Sequence, residues 1–402
     1  MEILSLEAGL EKLKQNIAPI RETEIVNLEK SLGRMLAEKI IAPQDQPPFD
    51  RSPLDGYAFR AESTVSATEE NPVRLRIIGE ECAGDFFAGA VGANEAVRIM
   101  TGAAIPQNAT AVIRQEDVTN EGEYVIINRK FRAGENICLA GEDVKKGAEI
   151  LAAGTKIDAV AIGVLASLGF AQVNVYRQPK IALFSTGDEL IAPGDELSPG
   201  KIYNSNLFLL TARLKELGYV PKITGTLPDD GAAAAAKIKQ IVDAENIDLV
   251  ITTGGVSVGK KDIMHEVWPL LGAEKIFWRL ALKPGSPVLS YKYKNTLGLA
   301  LSGNPFAALA TFELLAREVI AELAQDLQIK LLPGEAALKN SFGKKSPGRR
   351  FIRAKIEGDF VTVPDTHMSG SLASMLGCNA LIDIEAGTGE LKVGERVKIW
   401  HL

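Results

Sequence analysis

The segment GGVSVGKKD (254–262) carries the residue types and spacing closest to chemistry. It follows the apolar, β-branched run DLVITT (248–253) and leads into IMHEVWPLL, the order of a strand, a glycine turn and a helix start. Gly254, Gly255 and Gly259 let backbone N–H groups approach an anion, and a helix that follows adds its positive end. The segment is neither G-x-x-x-x-G-K-[ST] nor G-x-G-x-x-G, so it lacks both nucleotide fingerprints. It does fit G-x-S-x-G, the elbow of serine hydrolases, with Ser257 at its centre. Two readings are open at this point. Ser257 is a nucleophile, or it donates a hydrogen bond to an anion held by the turn.

Four more turns follow apolar runs: STGDEL (185–190), LPDDG (227–231), ALKPGSP (281–287) and LSGNP (301–305). With the first they supply Glu189, Asp230, Asp262 and Lys283. In an open α/β sheet, ligands bind beyond the carboxyl ends of the strands, so five such turns at one edge make one site. Carboxylates beside a phosphate repel it unless a cation intervenes, which argues for Mg²⁺ between the carboxylates and a phosphoanhydride. His265, His367 and His401 are isolated, with no H-E-x-x-H spacing, and predict no zinc site.

These turns need a scaffold. From residue 180 onward strands and helices alternate: KIALFS, then NSNLFLLTARLKELG capped by Gly218, YVPKITGTL, GAAAAAKIKQIVDAEN, DLVITT, FWRLAL, PVLSY, TLGLAL. NPFAALATFELLAREVIAEL then starts with Asn304 as N-cap and Pro305 at the first helical position. The alternation predicts a three-layer α/β domain with a parallel sheet. Residues 1–40 predict two helices, the second around SLGRMLAEKI, and 155–171 a third apolar helix. QDQPPFDRSPLDGYAFR (44–60) reads as a loop, and about 72–150 as short strands of a small β domain in which LDGYA and MTGA are turns. The last 70 residues or so return to short strands and predict a β-barrel or sandwich.

The bulk numbers agree with this layout. The 402 residues suggest roughly two to four domains. A net charge of −6 argues against a general nucleic-acid surface. Cys82, Cys138 and Cys378 are odd in number and widely spaced, which reads as reduced thiols in a cytoplasmic protein. The longest apolar run, AVAIGVLASLGFA (159–171), is shorter than the ~20 residues a bilayer requires, and the N-terminus has no signal-peptide core.

PPFDRSPLDGYA, RIMTGA, GEDVKKG, STGDEL, GKIYNSN, TTGGVSVGKKD, LALKPGSP, SGNP and SGSLASM…NALI occur in one order along the chain. Together they resemble the molybdopterin molybdenumtransferase family, which includes bacterial MoeA, the E-domain of gephyrin and a plant homologue. The resemblance implies a helical, extended region (1–44 and 147–178) carrying an inserted β domain (45–146), an α/β molybdopterin-binding domain (179–328) and a C-terminal β-barrel (329–402). It implies a homodimer whose active site is shared between subunits, an upstream molybdopterin adenylyltransferase, and a downstream molybdoenzyme or cofactor-modifying protein, with neither nucleic acid nor membrane involved. It also implies Mg²⁺-dependent insertion of molybdate (or tungstate) into adenylylated molybdopterin, with release of AMP.

By the same resemblance Asp55, Thr101, Asp143, Glu189 and Lys283 are active-site residues, Glu189 and Asp262 hold Mg²⁺, and Asp230 and Asp262 bind substrate with Asn304. The 254–259 loop would hold the pterin's terminal phosphate, with Ser257 as donor. Arg279, Ser286, Arg350, Arg353, Ser369 and Ser371 are candidates for an oxyanion site. The chain departs from the family's K-P-G-K-P at Ser286, where a second lysine is usual, from W-K-L at Arg279, from L-P-G-N-P at Ser302, and from methionine at Leu54. The serine-hydrolase alternative has no HGGG oxyanion motif behind it. A non-catalytic scaffold role of the gephyrin kind sits poorly with an intact set of acids.

Overall fold

The runs Ile181–Thr186, Leu249–Thr253 and Thr296–Leu301 form adjacent strands, and every residue in them is buried. Strands covered on both faces must be apolar throughout, which is why these runs do not alternate with polar residues. The computed structural model describes residues 3–257 and 262–402. They fall into two units: Ile25–Leu32 with Leu36–Val175, and the remainder of the described chain.

The second unit is built on a six-stranded sheet in the order Lys222–Leu227, Ile181–Thr186, Leu249–Thr253, Thr296–Leu301, Leu289–Tyr293, Glu274–Trp278. The first four strands are parallel. The last two are antiparallel, so the sheet is mixed where the sequence predicts it parallel. The reason lies in Lys294 and Asn295. They are the whole connection between Tyr293 and Thr296, and a link that short can only reverse the chain. Alternate residues of each strand face opposite sides. Ile181 and Leu183 pack with Leu207, Leu210 and Leu214 of the helix Ser205–Glu216. Ala182 and Phe184 pack with Ala234, Ile238 and Val242 of Gly231–Glu245 and with Trp268 of Met264–Leu270. Helices therefore cover both faces.

The predicted long helix after Asn304 is interrupted. Pro305–Thr311 and Arg317–Ala324 are α-helical, and Phe312–Ala316 between them is a π-helical turn. That turn holds the fully buried Glu313, which pairs with Arg213 at 2.5 Å and Arg317 at 2.7 Å. The widened turn directs an ionised side chain at two guanidinium groups inside the core.

Near the N-terminus one helix forms, Leu6–Gln15, capped by Ser5 Oγ accepting from the Ala8 N–H at 3.1 Å. Leu6 and Leu13 enter the sheet's core, worth about 1.5–3 kcal/mol each. The second predicted helix does not exist. Leu28–Lys30 is a single 3₁₀ turn, Gly33 takes φ +74°, and the chain runs on to the short strand Ile40–Ile41.

The strands Arg349–Glu357, Phe360–Thr362, Leu332–Leu338, Arg396–His401 and Ala380–Ile384 pair in that order, and the last pairs back with the first. The five strands close into a barrel without free edges. A two-residue strand, Leu282–Lys283, adds to it in parallel, placing Leu282 beside Arg349 and Lys283 beside Arg350.

The first unit holds a six-stranded sheet in the order Ala111–Arg114, Gly56–Phe59, Glu95–Ile99, Val73–Glu81, Tyr124–Ile127, Thr119–Glu121. Gly56–Phe59, inside the LDGYA turn of the sequence reading, is a fully buried strand between two partners. Its GYAF is too short for period-two alternation to mark it. The apolar helix is Ala159–Ser167, with Asp158 Oδ1 accepting from the Ala161 N–H at 2.7 Å. Cys82, Cys138 and Cys378 are unpaired. Among the described residues no helix is long and apolar enough to cross a membrane.

Candidate active site

The carboxyl ends of the parallel strands open into a cleft of about 1380 Å³. One wall is acidic. Glu189 follows the strand Ile181–Thr186 and folds back over Gly187, so that a Cβ at 187 would lie 2.5 Å from both carboxylate oxygens. Gly187 also has φ +130°, so an added side chain there is strained twice over. Asp229 lines the same wall and exchanges bonds with Asp188: the Asp188 N–H donates to Asp229 Oδ2 at 3.3 Å, and the Asp229 N–H to Asp188 Oδ1 at 3.4 Å. Asp262 lines the cleft as well.

Asp230 does not line it. Its Oδ1 accepts the Ala233 N–H at 2.7 Å and caps the helix Gly231–Glu245. A carboxylate at a helix N-cap satisfies amides that would otherwise be orphaned, and this is where the second acid of the LPDDG turn is committed. Asn304 lines the cleft and occupies the N-cap position of Pro305–Thr311, but its side chain makes no capping bond. Asn206 was not singled out from sequence. Its Nδ2 donates to the Gly303 carbonyl at 2.7 Å, and its buried Oδ1 accepts no hydrogen bond among the described residues.

The glycine turn closes the floor. Gly254 has φ +91°, and a Cβ there would lie 2.6 Å from Thr186 Oγ1 and 2.8 Å from the Thr186 carbonyl oxygen. The Gly254 N–H donates to Leu301 O at 2.9 Å, and Gly255 O accepts the Met264 N–H at 3.0 Å. The histidine next to Ser257 is His265, whose Nε2 lies 3.0 Å from the Ser257 carbonyl oxygen. An elbow nucleophile needs a base on its hydroxyl, and this contact is to the main chain. Gly259 lies outside the described residues.

A second, cationic part of the lining comes from the barrel and the strand that joins it. Lys283, Lys344, Arg350, Arg353, His367 and Ser369 belong to it. Arg353 is 2% exposed and lies 4.4 Å from the centre of the Phe306 ring, donating to Thr366 O at 2.8 Å and Met368 O at 3.0 Å. Burial pushes the His367 pKa down, and the charges of Lys344, Arg353 and Arg350 push it the same way, so the ring registers a positive field. Ser286 lines the cleft as well, but its hydroxyl donates to the Leu280 carbonyl at 2.8 Å, which removes the donor expected for an oxyanion. Arg279 and Ser371 are not part of the lining. Arg279 has φ +71° and lies 4.5 Å from the centre of the Trp278 ring, while the Ser371 carbonyl accepts from Ser374 Oγ at 2.8 Å.

Asp55, Thr101 and Asp143 belong to the other unit. The Thr101 N–H and Oγ–H both donate to Asp55 Oδ1 at 2.7 Å. The amide bond first and the hydroxyl bond second hold the Asp55 carboxyl below the usual carboxylate range. The Asp143 N–H donates to Gln46 O at 3.1 Å, fixing the turn that carries it.

Asp229, Asn206, Lys344 and His367 complete the cleft without having been predicted. Asp229 had a signal in the Asp229-Asp230 doublet. Lys344 and His367 had none, because they come from barrel loops that only the tertiary fold brings to the sheet edge.

Residues 4–169 match the MoeA N-terminal region (domain I and II), 182–322 the probable molybdopterin binding domain, and 335–402 the MoeA C-terminal region (domain IV). The molybdopterin molybdenumtransferase of Bacillus subtilis strain 168 is 38% identical over 386 residues, covering 94% of this chain and 89% of its own length. The protein of that name from Staphylococcus aureus strain COL is 36% identical over 403 residues, with 96% of each chain covered. Among solved structures, the molybdopterin biosynthesis MoeA protein of Pyrococcus horikoshii superposes with a TM-score of 0.85 at 33% identity, covering 100% of this chain and 99% of that one.

Proposed function

Because the chain belongs to the molybdopterin molybdenumtransferase family, an enzyme family of molybdenum cofactor biosynthesis, we propose that its cleft inserts molybdate-derived metal into adenylylated molybdopterin and releases AMP. The observation that carries this reading is the polarity of the cleft. The acids and the glycine turn come from the ends of the parallel strands, and four cationic side chains come from the barrel and the short strand that joins it. A substrate with a cation-bridged phosphoanhydride at one end and a metal oxyanion at the other matches both ends in sign.

In this reading the Gly255, Val256 and Ser257 amides and the Ser257 hydroxyl hold the pterin's terminal phosphate. Lys283, Arg350 and Arg353, with the Ser369 hydroxyl, hold the oxyanion, tungstate included. Among the described residues no three His, Cys, Asp or Glu side chains form a ready metal cage. Mg²⁺ commonly takes one or two carboxylates and completes its shell with phosphate oxygens and water, so Glu189 and Asp262 fit a cation carried in with the anhydride. Bound there, Mg²⁺ supplies positive charge for the departing phosphate oxygen. Asp229 adds to the acidic wall.

Asp55, Thr101 and Asp143 are proposed to serve the cleft of a partner subunit in a homodimer, and the family resemblance supports this. The four-part division 1–44 with 147–178, 45–146, 179–328 and 329–402 is proposed on the same ground. The upstream partner would be an adenylyltransferase that makes the substrate, and the downstream one a molybdoenzyme or cofactor-modifying protein. Three unpaired thiols support a reducing, cytoplasmic setting. The deciding experiment mixes the protein with adenylylated molybdopterin, molybdate and Mg²⁺ and follows AMP. No AMP above a blank lacking protein sinks the proposal.

A further inference from the structure

Three consecutive carbonyls of the glycine turn are fixed from one side. Gly255 O accepts the Met264 N–H at 3.0 Å. Val256 O lies 3.4 Å from Trp278 Nε1 and 3.3 Å from His265 Nε2, and Ser257 O lies 3.0 Å from the same His265 nitrogen. The His265 and Trp278 rings meet edge to face at 4.9 Å, so each fixes the other's angle. In a planar trans peptide the N–H of the following residue points opposite to the carbonyl. Turning Gly255 O and Val256 O toward the helix and Trp278 therefore turns the Val256 and Ser257 N–H groups the other way. Val256 and Ser257 both line the cleft.

We propose that His265 and Trp278 are positioning residues that, by fixing Val256 O, aim the Ser257 amide at the phosphate of the substrate, beside the Val256 amide that the Met264 bond to Gly255 O turns the same way. The inference rests on the reading of 254–257 as a phosphate cradle. Both His265 contacts are to carbonyl oxygens, which only accept, so Nε2 carries the ring proton and His265 acts as a donor. It is neither the base of a hydrolase nor a metal ligand in this role. Trp278 is a donor without alternative, because an indole N–H cannot accept.

The test is the KM and kcat of AMP release from adenylylated molybdopterin in wild type, Ser257→Ala, His265→Ala, His265→Gln and Trp278→Phe. Misaimed amides weaken ground-state binding of the phosphate, so His265→Ala raises KM about tenfold with kcat within about twofold. His265→Gln places an amide N–H near the position of Nε2 and recovers most of that loss. Trp278→Phe keeps the ring contact, removes the donor and raises KM about threefold. An elevated KM in Ser257→Ala with a wild-type KM in His265→Ala overturns the positioning role and leaves the cradle standing. Wild-type KM in both overturns the cradle itself. A raised KM in His265→Ala that glutamine does not recover means the ring acts by packing alone, which also overturns the role. If His265→Ala fails to fold, a wild-type KM in Trp278→Phe overturns the aiming of the Ser257 amide and an elevated one supports it.

Discussion

Asp55 takes both of its Thr101 bonds, from the amide and from the hydroxyl, on a single oxygen, each at 2.7 Å. The second carboxylate oxygen is left to face whatever Asp55 serves. The lowered pKa follows from this asymmetry, because both bonds favour the charged form. A depressed carboxyl favours folding above its ordinary pKa of about 3.9, and the effect is lost as pH falls through the lowered value. Thr101→Val keeps the amide bond and loses the hydroxyl bond. The Asp55 pKa then rises toward the ordinary range, and the acid limb of the pH–rate profile for AMP release moves to higher pH. An unmoved limb in Thr101→Val means that Asp55 ionisation does not limit the reaction.

The proposed function has Glu189 and Asp262 hold a cation on the anhydride. Glu189→Ala and Asp262→Ala should each slow AMP release at least tenfold, about 1.4 kcal/mol of barrier. Gly187→Ala should do the same without touching an acid, since the new methyl takes the space of the Glu189 carboxylate. Single-turnover rates at saturating Mg²⁺ measure all three, and wild-type rates in both acid variants would remove the acids from the chemistry.

The cationic wall makes a separate prediction. The Ser286 hydroxyl donates to the Leu280 carbonyl, so Ser286→Ala should change the molybdate concentration for half-maximal insertion less than about twofold. Arg350→Ala should raise it about five- to tenfold, and the difference should shrink in high salt, where the Coulomb part is screened. Molybdate titrations at two ionic strengths decide this. A large effect of Ser286→Ala with none of Arg350→Ala would reverse the assignment.

If Asp55 serves the partner's cleft, inactive Asp55→Ala and inactive Asp262→Ala chains should complement each other. A mixed dimer would hold one intact site, and activity should return toward about a quarter of wild type for random exchange between equal amounts. Subunit exchange followed by mass, with no recovery of AMP release, would put the whole site in one chain.

Inside the core, Glu313 is fully buried between Arg213 and Arg317. Glu313→Ala strands Arg317, leaves Arg213 only its Glu216 partner, and should cost about 3–5 kcal/mol in denaturant unfolding. A loss below about 1 kcal/mol would show that water or local rearrangement rescues the arginines.

The sequence-to-structure relation was uneven for physical reasons. The buried strands Ile181–Thr186 and Leu249–Thr253 were legible because apolar runs that end in glycine turns have few other outcomes. The helix expected around SLGRMLAEKI failed because its spacing was right while Gly33 took a left-handed turn. The hairpin at Lys294–Asn295 was hidden because pattern gives strand identity but not strand direction. The position of Glu189 and Asp262 in the cleft lining was legible in the turns that follow strands. Asp230 caps a helix, and a helix N-cap and a substrate acid look alike in one dimension. Lys344 and His367 could not be read at all, since only closure of the barrel brings them to the cleft.

The pairing of Leu282–Lys283 with Arg349–Arg350 locks two like charges into neighbouring register. The fold thus maintains a frustrated spot: backbone hydrogen bonding holds side by side what electrostatics would separate. Under the proposed function a dianion bound there would neutralise both charges, so the oxyanion would act on the protein as mortar as much as cargo. Selection for stability alone would neutralise one of the two positions, and selection for capture would keep both. This corner of the barrel is therefore where robustness and activity pull the sequence in opposite directions.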